Sequence, residues 1–154
     1  MSGTIDARLA ELDLTLPSAP TPAANYVPYV ISGKMLYVSG QISQDANGLI
    51  TGRLGADVDV AAGAAAAARC ALSLMAQARA ACGGDLDQVA RVVKLVGFVN
   101  STPDFTDQPK VINGASDLMV AVFGDAGRHA RSAVSAASLP MGVAVEIEAV
   151  FELR

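Results

Sequence analysis

The run HARSAVSAASLPMGVAVEIEAVFELR, residues 129–154, carries the clearest pattern in the chain. From Val143 onward it alternates. Val143, Val145, Ile147, Ala149, Phe151 and Leu153 share one face of an extended strand, while Glu146, Glu148, Val150 and Glu152 share the other. Leu139 and Pro140 separate this strand from another at Arg131–Ala136. Arg131 and Glu146 bracket fourteen uncharged residues. A strand that is apolar on one side requires a covering layer, and the upstream sequence supplies two long helices.

The nearer helix is expected over about Asp107–Phe123, with Val111, Ala115, Leu118, Met119 and Val122 on its buried face and Gly124 ending it. Before it, Val89–Val99 reads as a valine-rich strand closed by Pro103. The farther helix is expected over Asp57–Cys82, capped by Asp57 or Asp59 and ended by Gly83 and Gly84. Gly63 inside it suggests a close helix-to-sheet approach. Asn47 and Gly48 mark a tight turn. Val27–Ile31 and Met35–Val38 read as strands joined by Ser32–Lys34, with Ser39, Gly40 and Gln41 interrupting the second. A proline-rich connector, LPSAPTPAANYVP, follows a short helix at Thr4–Leu12, with Thr4 as its expected cap and Ile5, Leu9 and Leu12 on one face. Two long helices alternating with strands predict an α/β or α+β layer, both helices on one face of a mixed sheet.

Composition narrows the function classes. The chain has 154 residues, enough for one domain with a real core. Its charged fraction of 17% is below the roughly 25% of ordinary domains, which suggests that another subunit covers apolar surface. Alanine enrichment, as in Ala61–Ala68, is the plainer explanation of the 52% hydrophobic content. A net charge of −4 without a basic run opposes nucleic-acid binding. Leu14–Gly33 is uncharged, but four prolines make it an implausible membrane helix. With no signal segment in view, a cytoplasmic location is expected. Cys70 and Cys82 lie twelve residues apart in one helix, roughly 18 Å, too far for a disulfide.

Few residues are left for chemistry. One histidine, His129, excludes a multi-histidine zinc site. No P-loop, Cys-x-x-Cys, nucleophile elbow or dinucleotide fingerprint is present, which leaves arginine and carboxylate chemistry. Arg131 opens an otherwise apolar strand and suits bidentate capture of a carboxylate; a structural salt bridge to a C-terminal glutamate is the competing reading. Glu146 either begins a solvated acidic face or serves a site. Tyr26 lies in a proline-bounded loop, where ordinary packing or turn capping is the plain reading.

Three stretches resemble the RidA/YjgF family of small trimeric enamine and imine deaminases: PAANYVPYVISGKMLYVSGQIS, NSTPDFTDQPKVINGASDLM and HARSAVSAASLPMGVAVEIEAVFEL. The resemblance covers residues 22–154, leaving 1–21 as a short helix and connector, and points to a branch apart from the best-known members. It implies a chorismate-mutase-like α+β fold, a six-stranded mixed sheet backed by two helices, with three subunits around a central barrel and clefts at their interfaces. It also implies hydrolysis of a 2-imino acid to a 2-keto acid and ammonia without a cofactor. Arg131 would bind the substrate carboxylate, and Glu146 would position and activate water. Tyr26, Ser39, Gly40 and Phe105 would line the pocket, as would Ala133. Ala133 stands where the family often has cysteine, and His129 where it often has proline; both departures bear on the substrate. Two alternatives stand beside the deaminase: a non-catalytic binder of small carboxylates or keto acids, and an RNA-cleaving or translation-inhibiting protein.

Overall fold

The computed structural model describes residues 3–154; the first two residues of the expected N-terminal segment lie outside it. Strands β1 (Tyr29–Ser32), β2 (Met35–Ile42), β5 (Val89–Asn100), β6 (Ala130–Ala136) and β7 (Val145–Leu153) form one mixed sheet in the order β1-β2-β7-β5-β6. Only the β5–β6 pair is parallel; β7 is antiparallel to both its neighbours. The sheet therefore has five strands, not the expected six. The chain peels away after Ile42, where Ser43 donates its N–H to the Val145 carbonyl (2.9 Å) and its hydroxyl to the Ile50 carbonyl (2.9 Å). The next residues pair with one another as a small ribbon of β3 (Gln44–Asp45) and β4 (Gly48–Leu49).

Helices α2 (Val60–Ala81) and α3 (Gln108–Phe123) cover one face of the sheet. The alternation read from the sequence fills that side: Val145, Ile147, Ala149 and Phe151 are buried with Leu36, Val38, Leu95 and Val99. Asp59 caps α2 by accepting from the Ala62 N–H at 2.8 Å. α2 is long and apolar enough to cross a membrane, but 61% of its most apolar window is buried within the fold.

Gly63 makes a close approach, but to the other helix rather than the sheet. A Cβ there would lie 2.9 Å from Leu54 Cδ1 and 3.2 Å from Val111 on α3. Facing it, a Cβ at Gly114 would collide with the Ala64 carbonyl, 2.7 Å from its carbon. Backbone meets backbone at this crossing, and Gly114 has no local sequence signature.

The first helix, α1 (Thr4–Glu11), is capped from far away rather than by Thr4. Asp87 accepts from the Thr4 and Ile5 N–H groups at 2.8 and 2.9 Å, and Leu9 joins the core. The open N–H groups of a helix start need only an acceptor, whatever its place in the chain. Cys70 is buried and Cys82 partly so, and both are free thiols.

Gly114→Ala tests the helix crossing. Alanine favours an isolated helix by up to about 1 kcal/mol, but overpacking costs about 1–3 kcal/mol. We expect a net loss, read as a lower urea midpoint at unchanged slope.

Candidate active site

Arg131 lies on β6, the edge strand, in register with Leu95 of β5. Partners in register share a face, and Leu95 is fully buried under the helices. The Arg131 side chain accordingly reaches along α3. Its Nη1 donates to Asn113 Oδ1 (2.8 Å) and Ser116 Oγ (3.2 Å), and its Nη2 to the Pro109 carbonyl (3.4 Å). These acceptors stand at i, i+4 and i+7 of one helix face. All are neutral, and among the described residues Arg131 makes no ion pair. The competing reading of a salt bridge to a C-terminal glutamate is not what the fold contains.

Ala133 and Ser135 follow on the same face of β6, opposite Gly97 and Val99. Ala133 packs at the margin of the core. Phe105, in the loop before α3, also packs there. Its carbonyl accepts from Gln108 Nε2 at 2.9 Å, which also donates to Ser135 Oγ at 2.7 Å. Arg131, Ala133 and Phe105 thus belong to one neighbourhood.

Glu146 belongs to another. It is in register with Phe98 of β5 and Ile42 of β2. Its neighbour Ile147 is buried, so Glu146 projects from the opposite, uncovered face of the sheet. Gly40 lies against its carboxyl: a Cβ at position 40 would sit 3.0 Å from Glu146 Cδ. The extra residue between Val38 and Gln41 that shifts the β2–β7 register is what brings Gly40 there. Burial, with Glu148 nearby, holds the Glu146 carboxyl above its ordinary value.

Tyr26 is half exposed and shares a small cavity with Pro28, Gly40 and Gln41. Ser39 pins this loop to β2. Its hydroxyl donates to the Val27 carbonyl (2.7 Å) and its N–H to the Pro28 carbonyl (2.9 Å). Two buried amides missed by sequence reasoning complete the arrangement. Gln41 Nε2 donates to the Ser39 carbonyl (2.9 Å), and Gln77 of α2 donates to the Pro20 carbonyl (2.6 Å) and approaches Gln41 Oε1 (3.4 Å). Glutamine inside an apolar strand and inside an alanine-rich helix was the available signal. Asn113 and Ser116 were missed too, although their spacing from Pro109 is legible.

The candidate residues therefore fall into two separate groups. Tyr26, Ser39, Gly40 and Glu146 lie along β2 and β7; Arg131, Ala133 and Phe105 lie at the β6 edge and α3. Between Glu146 and Arg131 stand strand β5 and the thickness of the sheet. Among the described residues no cluster of three or more histidine, cysteine, aspartate or glutamate side chains could hold a metal.

A small α+β protein with an unpaired arginine on one sheet face and a half-buried glutamate on the other defines a narrow class. The family described as "YjgF/chorismate mutase-like, putative endoribonuclease" matches residues 6–152, and the chain belongs to it. It is 55% identical over 155 residues to Protein TCP17 of Trypanosoma cruzi, covering 99% of this chain and 96% of that protein. A crystal structure of an Agrobacterium tumefaciens protein of unknown function is 52% identical, with a TM-score of 0.90 over 97% of this chain and 92% of that one. The YjgF gene product of E. coli is 31% identical, with a TM-score of 0.63 over 89% of this chain and 94% of that one.

The raised carboxyl of Glu146 has a signed consequence. The folded chain binds that proton more tightly than the unfolded chain, so stability falls as pH rises from the ordinary carboxylate range through the raised value. Glu146→Gln should remove this part of the slope, measured as urea midpoint against pH.

Proposed function

We propose that the protein hydrolyses reactive 2-imino acids to 2-keto acids and ammonia, in clefts where the Arg131 half-site of one subunit meets the Glu146 half-site of another. The observation that carries this reading is the state of Arg131. Three neutral acceptors hold it, while Nε and one Nη2 hydrogen have no protein acceptor among the described residues. The fork keeps its charge and one open edge for a substrate carboxylate.

The chemistry needs only water and proton handling. The imine carbon is already electrophilic. Water adds to it as Glu146 takes a proton, and the nitrogen gains one. The resulting carbinolamine passes its hydroxyl proton to the nitrogen, its C–N bond breaks as the C=O bond forms, and ammonia leaves the keto acid. A carboxyl raised by burial and Glu148 suits this exchange better than one fixed in an ion pair.

Assembly follows from the same geometry. A substrate of a few atoms cannot reach both groups through the sheet, so a second copy must supply the missing half. The uncovered surface supports this: Val30, Tyr37 and Val134 are each more than two-fifths exposed. A homotrimer with three interface clefts, as implied by the family resemblance, would bury that face.

Related structures from Shewanella oneidensis and Vibrio vulnificus carry the names putative endoribonuclease and putative translation initiation inhibitor. The acidic balance of the chain, without a basic run, opposes a phosphate backbone.

Arg131→Ala should lower kcat/KM for 2-iminopropanoate hydrolysis by about 10²–10³, and Glu146→Gln by about 10²–10⁴. Both variants should keep the wild-type sedimentation coefficient. Wild type that accelerates no member of an imino-acid panel would overturn the activity. A monomer that turns over substrate would overturn the composite cleft.

A further inference from the structure

We infer that Ser116 and His129 are positioning residues: they form a directed hydrogen-bond relay that sets the Arg131 guanidinium with one edge open to a carboxylate. The inference rests on the reading of Arg131 as the substrate anchor and extends it to the residues behind that anchor.

The relay has three contacts. Arg131 Nη1 donates to Ser116 Oγ at 3.2 Å, Ser116 Oγ lies 2.8 Å from His129 Nε2, and His129 Nδ1 lies 2.6 Å from the Gly127 carbonyl. The outer two contacts have their direction fixed by chemistry, and the middle one takes its direction from a neutral ring. A carbonyl only accepts, so Nδ1 carries the proton. Nε2 of the neutral ring is then the acceptor, and the Ser116 hydroxyl donates to it. That leaves the serine's lone pairs for Arg131. A second proton on the ring would reverse the middle contact, leave the serine hydrogen without its acceptor and add a cation next to Arg131.

The far end of the relay is rigid. Gly127 is buried against α3, where a Cβ would collide with the Met119 carbonyl and lie 2.9 Å from Val120 Cα. Its carbonyl therefore stays where the imidazole needs it. At the near end, Ser116 and Asn113 together use both hydrogens of Nη1. The Nε–Nη2 edge is what remains for a ligand, and it matches the planar geometry of a carboxylate.

The choice of partners carries the functional argument. An aspartate could hold Arg131 more tightly, but would neutralise it. A serine, an asparagine and a backbone carbonyl fix orientation and leave the charge to the substrate. Asp117, next to Ser116, is exposed and makes no ion pair with Arg131. The site should accordingly prefer imines bearing a free carboxylate over the corresponding amides, and the relay should sharpen that preference.

Two measurements on the full-length protein test this. In steady-state kinetics with 2-iminopropanoate, Ser116→Ala and His129→Ala should raise KM about tenfold and leave kcat within about twofold. His129→Gln, whose amide can accept from Ser116 and donate to Gly127, should recover most of the loss. Side-chain ¹⁵N NMR gives a readout independent of turnover. Wild type should show His129 as the Nδ1–H tautomer and resolved Nη signals from a restrained Arg131, which should merge in both alanine variants. Unchanged Arg131 signals in both variants, or a doubly protonated His129 at the assay pH, would overturn the relay. Merged signals with an inactive wild type would support the relay and overturn the deaminase reading. A fall in kcat at constant KM would overturn the positioning role.

Discussion

Strand β7 is the constraint on which the rest depends. It lies inside the sheet, paired on one side with β2 and on the other with β5. Its inner residues, Val145, Ile147, Ala149 and Phe151, are all buried. A slip of one residue would exchange that entire set for Glu146, Glu148, Val150 and Glu152. Burying three carboxylates beneath α2 and α3 would cost far more than any local gain. The register is thereby locked, and with it the direction in which Glu146 points.

The same lock separates Arg131 from Glu146. β5 takes its register from β7, and β6 takes its own from β5. Once Ile147 points toward the helices, Glu146 points away. Leu95 in the core then carries Arg131 to the helix side. The separation of Arg131 from Glu146 is therefore a consequence of core packing.

Polar residues around the two half-sites hold backbone and side chains in place without adding charge. Gln41 and Gln77 satisfy carbonyls at the irregular part of β2 and in the proline-rich connector, so Gly40 can lie against the Glu146 carboxyl. Asn113, Ser116 and the Pro109 carbonyl do the equivalent for Arg131. Buried polar groups without partners are costly, so the contacts of the buried Gln41 and Gln77 also stabilise the fold.

Much of this was legible in the chain. Period-two alternation located β7 and its inner face. Capping residues and glycines bounded α2 and α3, and the bracketed charges singled out Arg131 and Glu146. Those signals are local, because strand and helix periods bind residues a few positions apart. The resemblance of the three quoted stretches supplied roles that the pattern alone left open. What only the tertiary structure decided involves partners distant in sequence: Asp87 capping α1, Gly114 admitting α2, a five-stranded sheet with its ribbon peeled away, and acceptors from α3 waiting for Arg131. No local period encodes which strand inserts between β6 and β7. The insertion of β5 separates Arg131 from Glu146 along the sheet, and the pairing of Arg131 with buried Leu95 puts the two on opposite faces, because neighbouring strands must share their buried side.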